Sequence, residues 1–354
     1  QDLSGSELVR LDGSGSTDAD GAIASYVWTE GATQLATGVS PAVDLAVGTH
    51  VITLTVTDED GATGTDTLTV KVNDPPVAAA GPDQVVNDQD LSGDQAVTFD
   101  GTGSTDGDGS IVSYVWREGA TLLATGIGPT VVLPVGTHVI ELTTTDEDGA
   151  TGTDTLTVKV NDPPTAAAGP DQVVNDDNLN GIEVVALDGS GSTDGDGAIV
   201  SYVWTEGATE LASGVTVNVP LPVGVHVLTL TVTDEDGATA TDDLQVIVND
   251  PPVADAGPDQ VVNDQDLSGS EPVTLDGTGS TDSDGTIASY VWTLGVTQIA
   301  TGSAPTVDLP VGTHVLILTV TDDLGASRTD SMSVKVNEPP VADAGPDQVV
   351  NDQD

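Results

Sequence analysis

The sequence predicts an all-β chain organised as a linear rod of tandem β-sandwich modules. Three observations carry this expectation. Trp28, Trp116, Trp204 and Trp292 recur every 88 residues, and His50, His138, His226 and His314 recur at the same interval. Val, Leu, Ile and Thr alternate in short runs bounded by Gly, Asp and Pro, and no stretch carries a helical period. Asn-acid-Pro-Pro segments beginning at Asn73, Asn161, Asn249 and Asn337 punctuate the chain at the same spacing. A unit of this length is too long for a solenoid turn and suits a small independent sandwich.

The period sets the domain plan. Residues 1–74 form repeat 1, which lacks its first strand; 75–162, 163–250 and 251–338 form repeats 2 to 4; and 339–354 read as the first strand of a further repeat. Within repeat 2, strands are expected at 77–86 (interrupted at Gly81-Pro82), 96–100, 111–116, 122–124, 131–133, 137–145 and 153–160. Alternation over 49–56 places Ile52, Leu54 and Val56 on one face with His50. Leu11, Phe99, Leu187 and Leu275 share one repeat position that accepts only large apolar groups, so it belongs to the core. Each repeat has one Trp. Burying it removes about 150–250 Å² from water, and a core role is preferred to a sugar-binding platform. Val72, Val160 and Val248 run straight into Asn-Asp-Pro-Pro. Paired prolines fix φ and leave no Gly or Ser slack, so the joints are expected to be stiff.

Composition excludes several functions. With 58 acidic and 6 basic residues, the net charge is −52. Phosphate recognition needs Lys and Arg, so nucleic acid is excluded as a partner. An anionic membrane surface repels such a chain, and no stretch is apolar enough for direct membrane insertion. There is no Cys, hence neither a disulfide staple nor a thiolate ligand or nucleophile. The start at Gln1-Asp2 reads as part of something longer, and the expected location is extracellular or at the cell surface.

The acids are not scattered. Each repeat has a Ser-Thr-Asp-x-Asp-Gly turn, with Asp18 and Asp20, Asp106 and Asp108, Asp194 and Asp196, or Asp282 and Asp284. Each has a Thr-Asp-x-x-Gly turn after its long strand, at Asp58, Asp146, Asp234 and Asp322. The linkers add Asn73 with Asp74, Asn161 with Asp162, Asn249 with Asp250, and Asn337 with Glu338. All are hard oxygen donors, which points to Ca2+ rather than zinc or copper. Solvated turn acids are the bland alternative, because Asp and Gly favour turns anyway. Four copies in register within so acidic a chain favour the ion. A helix-loop-helix calcium loop is rejected: its closing Glu position holds Thr29, Arg117, Thr205 and Thr293, and the flanks are strands.

Pro-Pro-Val-Ala-Asp-Ala-Gly-Pro-Asp-Gln, Leu-Asp-Gly-Thr-Gly-Ser-Thr-Asp-Ser-Asp-Gly, Ser-Tyr-Val-Trp and Val-Gly-Thr-His-Val-Leu-Ile-Leu-Thr-Val-Thr-Asp together resemble the PKD domain, four times over. The resemblance implies an Ig-like sandwich of bacterial and archaeal surface proteins, adhesins and S-layers, and of accessory modules on secreted hydrolases. It also implies an ion near the start of each domain. One site would hold Asn73, Asp74, Asp106, Asp108 and Asp146. The next would hold Asn161, Asp162, Asp194, Asp196 and Asp234, and the third Asn249, Asp250, Asp282, Asp284 and Asp322. The sequence departs from the family where Trp28 is followed by Thr-Glu-Gly-Ala instead of Asp-Phe-Gly-Asp-Gly, and where His50 replaces the usual Tyr.

The segment at 337–354 matches what repeat 1 lacks. Either the chain is a window on a continuous array, or this segment completes repeat 1 of the next copy by strand donation. In both cases Asn337 and Glu338 would join Asp18, Asp20 and Asp58 of the following copy. The expected function is a structural stalk, adhesin shaft or filament with Ca2+ at its joints. The alternative is a carbohydrate- or protein-binding accessory module, with surface glycans as partners. Paired carboxylates can hydrolyse glycosides, but here they recur in every unit, and no His has a nucleophile pattern beside it, so an enzyme is not expected.

Overall fold

Strand placement follows the alternation of apolar residues, and every element in the computed structural model is a strand; it describes residues 5–350. The chain divides into two compact units, Gln1–Pro163 and Pro164–Asp354.

In the first unit, repeat 1 comprises β1 (Ser6–Arg10), β2 (Ile23–Glu30), β3 (Thr33–Thr37), β4 (Ala42–Ala46), β5 (Gly48–Asp58) and β6 (Thr63–Val72). β1 pairs with β4, and the facing sheet runs β3-β2-β5-β6. Repeat 2 comprises β7 (Gln84–Asn87), β8 (Asp94–Thr98), β9 (Ile111–Glu118), β10 (Thr121–Thr125), β11 (Thr130–Pro134), β12 (Gly136–Asp146) and β13 (Thr151–Asn161). Its facing sheet has five strands, β10-β9-β12-β13-β7, because β7 adds in parallel to β13. The stretch expected as one strand over 77–86 is split. Val77 makes an isolated bridge to Thr105, and the regular ladder begins only at Gln84. Gly81 at φ 85° turns the chain between them, and Pro82 has no N–H to give a ladder.

The second unit repeats the arrangement. Repeat 3 comprises β14 (Gln172–Asn175), β15 (Ile182–Asp188), β16 (Ile199–Glu206), β17 (Thr209–Ser213), β18 (Thr216–Pro222), β19 (Gly224–Asp234) and β20 (Thr239–Asn249). Repeat 4 comprises β21 (Gln260–Asn263), β22 (Ser270–Thr274), β23 (Ile287–Leu294), β24 (Thr297–Thr301), β25 (Thr306–Pro310), β26 (Gly312–Asp322) and β27 (Ser327–Asn337). Residues 339–350 form no strand among the described residues, whereas β7, β14 and β21 each pair in parallel with the last strand of their own repeat.

Each sandwich has its own core around the Trp. In repeat 3, Trp204 packs with Leu187, Val219, Leu221, Leu228, Leu230 and Val246. The indole N–H donates to a carbonyl ten residues on in every repeat, as from Trp204 Nε1 to Gly214 O at 3.1 Å. Indole area and polar edge are therefore both satisfied inside, which confirms the core reading over a sugar platform.

The recurrent His sits at the edge of that core. His50 Nδ1 lies 2.9 Å from Glu30 Oε1, and Nε2 lies 2.8 Å from Ala46 O. Both partners are acceptors, so the ring keeps both contacts only as imidazolium. The Ala46 carbonyl, aided by Glu30 and opposed by burial, raises the His50 pKa above its ordinary 6.5. A raised pKa stabilises the fold fully below about pH 6.5 and loses that contribution as pH rises through the folded value. His50→Gln is therefore expected to flatten the fall of repeat 1 stability with rising pH in this window. Parallel pH profiles of the variant and the parent would discard the imidazolium assignment.

Candidate metal centre

The joint is shaped first by the backbone. In each repeat the ladder between the second strand of the larger sheet and the long strand slips by one residue just at the long-strand Asp. The slip falls between Thr145 and Asp146 in repeat 2, and beside Asp58, Asp234 and Asp322 in the others. The extra residue, Val112, is on β9; on β12 Asp146 continues the inward face of Ile140, Leu142 and Thr144, 2% exposed, over a hairpin closed by Gly149 at φ 87°. Its Oδ1 accepts the N–H groups of Asp148 at 3.0 Å and Ala150 at 2.8 Å.

The linker then crosses to this hairpin within the first unit. Asn73 Nδ2 donates to Asp146 Oδ2 at 2.6 Å, and the Asp74 N–H donates to Asp108 Oδ1 at 3.1 Å. The Asn73 bond, first among several, holds the Asp146 carboxyl below its ordinary pKa. Asp108 N–H donates to Asp106 Oδ1 at 3.3 Å, fixing the pair. Asp106 Oδ2 and Asp108 Oδ2 are left buried without a hydrogen-bond partner. A Cβ on Gly107 would come within 2.9 Å of Asp74 Oδ2, so glycine permits this close approach. Lys71 pairs with Asp148 and lies 3.8 Å from Glu147, tying the two repeats across the same corner.

The joint between repeats 3 and 4, inside the second unit, has the same plan. Asn249 Nδ2 donates to Asp322 Oδ2 at 2.9 Å, and the Asp250 N–H donates to Asp284 Oδ2 at 3.0 Å. Asp322 Oδ1 accepts from Leu324 and Ala326. Both carboxylate oxygens of Asp282 are buried and unpartnered. Burial is the main cause that pushes the Asp282 pKa up. Here Ser283 takes the place of Gly107 and bonds Asp250 through its hydroxyl. Ile247 and Leu324 stand where the first joint has Lys71 and Asp148, an apolar pair replacing an ionic one.

Of the expected sets, two are brought together within a unit: Asn73, Asp74, Asp106, Asp108 and Asp146; and Asn249, Asp250, Asp282, Asp284 and Asp322. The third set is divided between units. Asn161 and Asp162 belong to the first, where Asn161 Nδ2 donates to Asn87 Oδ1 at 3.2 Å. Asp194, Asp196 and Asp234 belong to the second, where Asp194 Oδ2 is buried and unpartnered and Asp234 Oδ1 holds its own hairpin. Asp58 likewise holds its own hairpin, and Asp18 Oδ1 accepts from Asp20 N–H at 3.4 Å. Asn337 Nδ2 donates to Asn263 Oδ1, and Glu338 is exposed.

Sequence reasoning missed a further acid. Asp88, Asp176 and Asp264 are 0%, 1% and 1% exposed, and each receives backbone N–H groups of the following turn, such as those of Ser92 and Gly93 at Asp88. Among the described residues, Asp264, Asp266 and Glu271 are the one group of three acids whose ligand atoms all lie within 4.8 Å of one another; the acids of the joints are not gathered that closely. Only the 88-residue period marked these positions, and it marks every other recurrent Asp equally.

The donor set suits a hard cation. The linker amides and N–H groups bind carboxylates of the two turns, and several carboxylate oxygens there are buried without a proton donor, which is costly for ionised groups unless a positive charge is supplied.

Fold and corner together define a class: tandem Ig-like sandwich modules joined end to start through oxygen-rich turns. The chain belongs to the PKD-domain family. Two family models described as PKD domain match it, one at residues 1–72, 168–248 and 256–336 and the other at 73–160. It is similar to the dyslexia-associated protein KIAA0319-like protein of Mus musculus, 35% identical over 375 residues, covering 93% of this chain and 34% of the relative. The chain thus spans about a third of the length of that curated relative. Over 147 residues it is 36% identical to the pre-pro-metalloprotease PrtV of Vibrio cholerae, covering 41% of this chain and 15% of the relative. Among solved structures, an I-band fragment of titin aligns with a TM-score of 0.42 at 10% identity, over 75% of this chain and 100% of that one. The chain is an extracellular protein of tandem, non-catalytic modules.

Proposed function

We propose that this chain is a structural extracellular repeat protein, a stalk, adhesin shaft or filament, whose joints are stiffened by Ca2+. The observation that supports the ion best is the set of buried carboxylate oxygens without partners at Asp106, Asp108, Asp194 and Asp282. At the joint between repeats 1 and 2, Asp106, Asp108 and Asp146 would hold the ion, with Asn73 and Asp74 from the linker. At the joint between repeats 3 and 4, Asp282, Asp284 and Asp322 would do so with Asn249 and Asp250. The ion would neutralise the clustered charge and lock a linker that already has two prolines and no glycine.

Calorimetric titration tests this. Ca2+ is expected to bind with a Kd of about 10⁻⁴–10⁻³ M, the range of extracellular modules. Asp106→Ala is expected to remove the heat of one site and leave the others. Absence of Ca2+-dependent heat, or the same isotherm for Asp106→Ala, sinks the assignment.

A further inference from the structure

Four departures of repeats 3 and 4 from the repeat pattern are matched in pairs across the joint between them. The scaffold of this joint is the one between repeats 1 and 2. Asn249 bonds Asp322 as Asn73 bonds Asp146, and the Asp250 N–H bonds Asp284 as the Asp74 N–H bonds Asp108. The following hairpin is also held alike, with the Leu324 N–H on Asp322 Oδ1 at 3.1 Å and the Asp148 N–H on Asp146 Oδ1 at 3.0 Å. Residues 247 and 324 therefore take the places of Lys71 and Asp148, which form an ion pair at the first joint.

The first matched pair is apolar. The position is Lys at Lys71, Lys159 and Lys335, and Ile only at Ile247. Its counterpart on the hairpins is Asp at Asp60, Asp148 and Asp236, and Leu only at Leu324. The one repeat that ends without the lysine is thus followed by the one hairpin without the aspartate. The second matched pair is ionic and crosses between the same two repeats, from the loop after β14 to β27. Asp177 stands where repeats 2 and 4 have Gln89 and Gln265. Arg328 stands where repeats 1 to 3 have Gly64, Gly152 and Ala240. These two singular residues meet: Arg328 Nη2 lies 3.4 Å from Asp177 Oδ1 and 3.4 Å from the Asp177 carbonyl oxygen. An exposed ion pair adds little affinity. An acid and a base that each occur once at their positions, and face each other, instead distinguish one neighbour from another.

We propose that this joint is keyed, so that the end face of repeat 3 accepts repeat 4 and discriminates against the other repeats of the array. Repeat 4 set behind repeat 2 would put the Lys159 ammonium against Leu324 and Arg328 opposite Gln89. Repeat 2 set behind repeat 3 would put Asp148 against Ile247 and Asp177 opposite Gly152. Each wrong order sets a charge against an apolar group and leaves another without its counter-charge, whereas the native order does neither. The likeness of the repeats creates the need, since similar neighbouring domains are prone to exchange and misassembly during folding. None of the four side chains belongs to the proposed Ca2+ sites, so key and ion act separately.

Distance measurements between two spin labels by double electron–electron resonance test the key. The chain has no Cys, so Thr209→Cys in repeat 3 and Thr297→Cys in repeat 4, both at exposed positions, take one label each. The full 354-residue chain is used, in chelator, which removes any contribution of the ion. Every key substitution imports a residue that another repeat already carries at that position, so each sandwich keeps its fold. Ile247→Lys and Leu324→Asp are each expected to broaden the interlabel distribution relative to the parent. The two together recreate the side chains of the first joint and are expected to restore the parent width. Arg328→Ala and Asp177→Gln are each expected to broaden it, and together to broaden it no more than either alone. Calorimetric Ca2+ binding is expected to be the same in parent and variants. Heat absent throughout sinks the ion and leaves the distances to judge the key. Single variants as narrow as the parent overturn the proposal. So does an Ile247→Lys/Leu324→Asp variant as broad as its singles, or an Arg328→Ala/Asp177→Gln variant whose two effects add.

Discussion

Chelation of Ca2+ is expected to lower the melting temperature of the repeats flanking each joint by roughly 10–20 °C. A ligand that binds only the folded joint adds about 2.7 kcal/mol when its free concentration is 100-fold above Kd. For a module of this size, about 1 kcal/mol shifts the midpoint by about 4–8 °C. The unfolded chain offers no competing site, because Asn73 and Asp146 are brought together only by folding of both repeats. Differential scanning calorimetry with and without chelator, at constant ionic strength, gives the answer. Superimposable traces remove the ion from the account, since screening alone is held fixed.

The second large effect lies in the cores. Trp204→Ala is expected to cost about 3–5 kcal/mol, against a total of about 5–15 kcal/mol for a typical domain. Trp204 is fully buried in a core cluster drawn from both sheets of its sandwich. Its loss leaves repeat 3 marginal. Trp204→Phe keeps most of the apolar contact and forfeits the bond to Gly214 O, which is expected to cost about 0.5–1.5 kcal/mol. Hydrogen exchange resolved by repeat measures both variants. Protection lost evenly over repeats 2, 3 and 4 would show that one cooperative block unfolds, contrary to a nearest-neighbour array.

Much of this architecture was legible because a strict period and a two-residue alternation reinforce each other. Leu11, Phe99, Leu187 and Leu275 were placed in the core by their shared position, and all are buried. The four Trp residues were separated from a binding role by number and spacing alone. The acids were harder. Asp146 and Asp154 lie on one hairpin and recur with equal regularity. Asp146 meets the linker of the preceding repeat, whereas Asp154 accepts a backbone N–H from its own first segment. A period records that a position is used and is silent on what it faces. Asp88 is hidden in the sequence for the same reason: beside Asn87 it looks like turn polarity, yet it is buried and organises the loop to Gly93. The split of 77–86 was readable from Gly81-Pro82. That Ala80 would instead bond a side chain across the sandwich required the third dimension.

The parallel pairing of Gln84–Asn87 with Val158–Asn161 has a mechanical corollary. The chain enters repeat 2 just before the first of these strands and leaves it just after the second. Tension applied through the two ends therefore pulls the strands past one another along their length. All four residue pairs bear the load together and must fail together, whereas an antiparallel hairpin gripped at its open end unzips one pair at a time. Repeats 3 and 4 place their entry and exit strands identically, so every such ladder in the array resists stretching by shear.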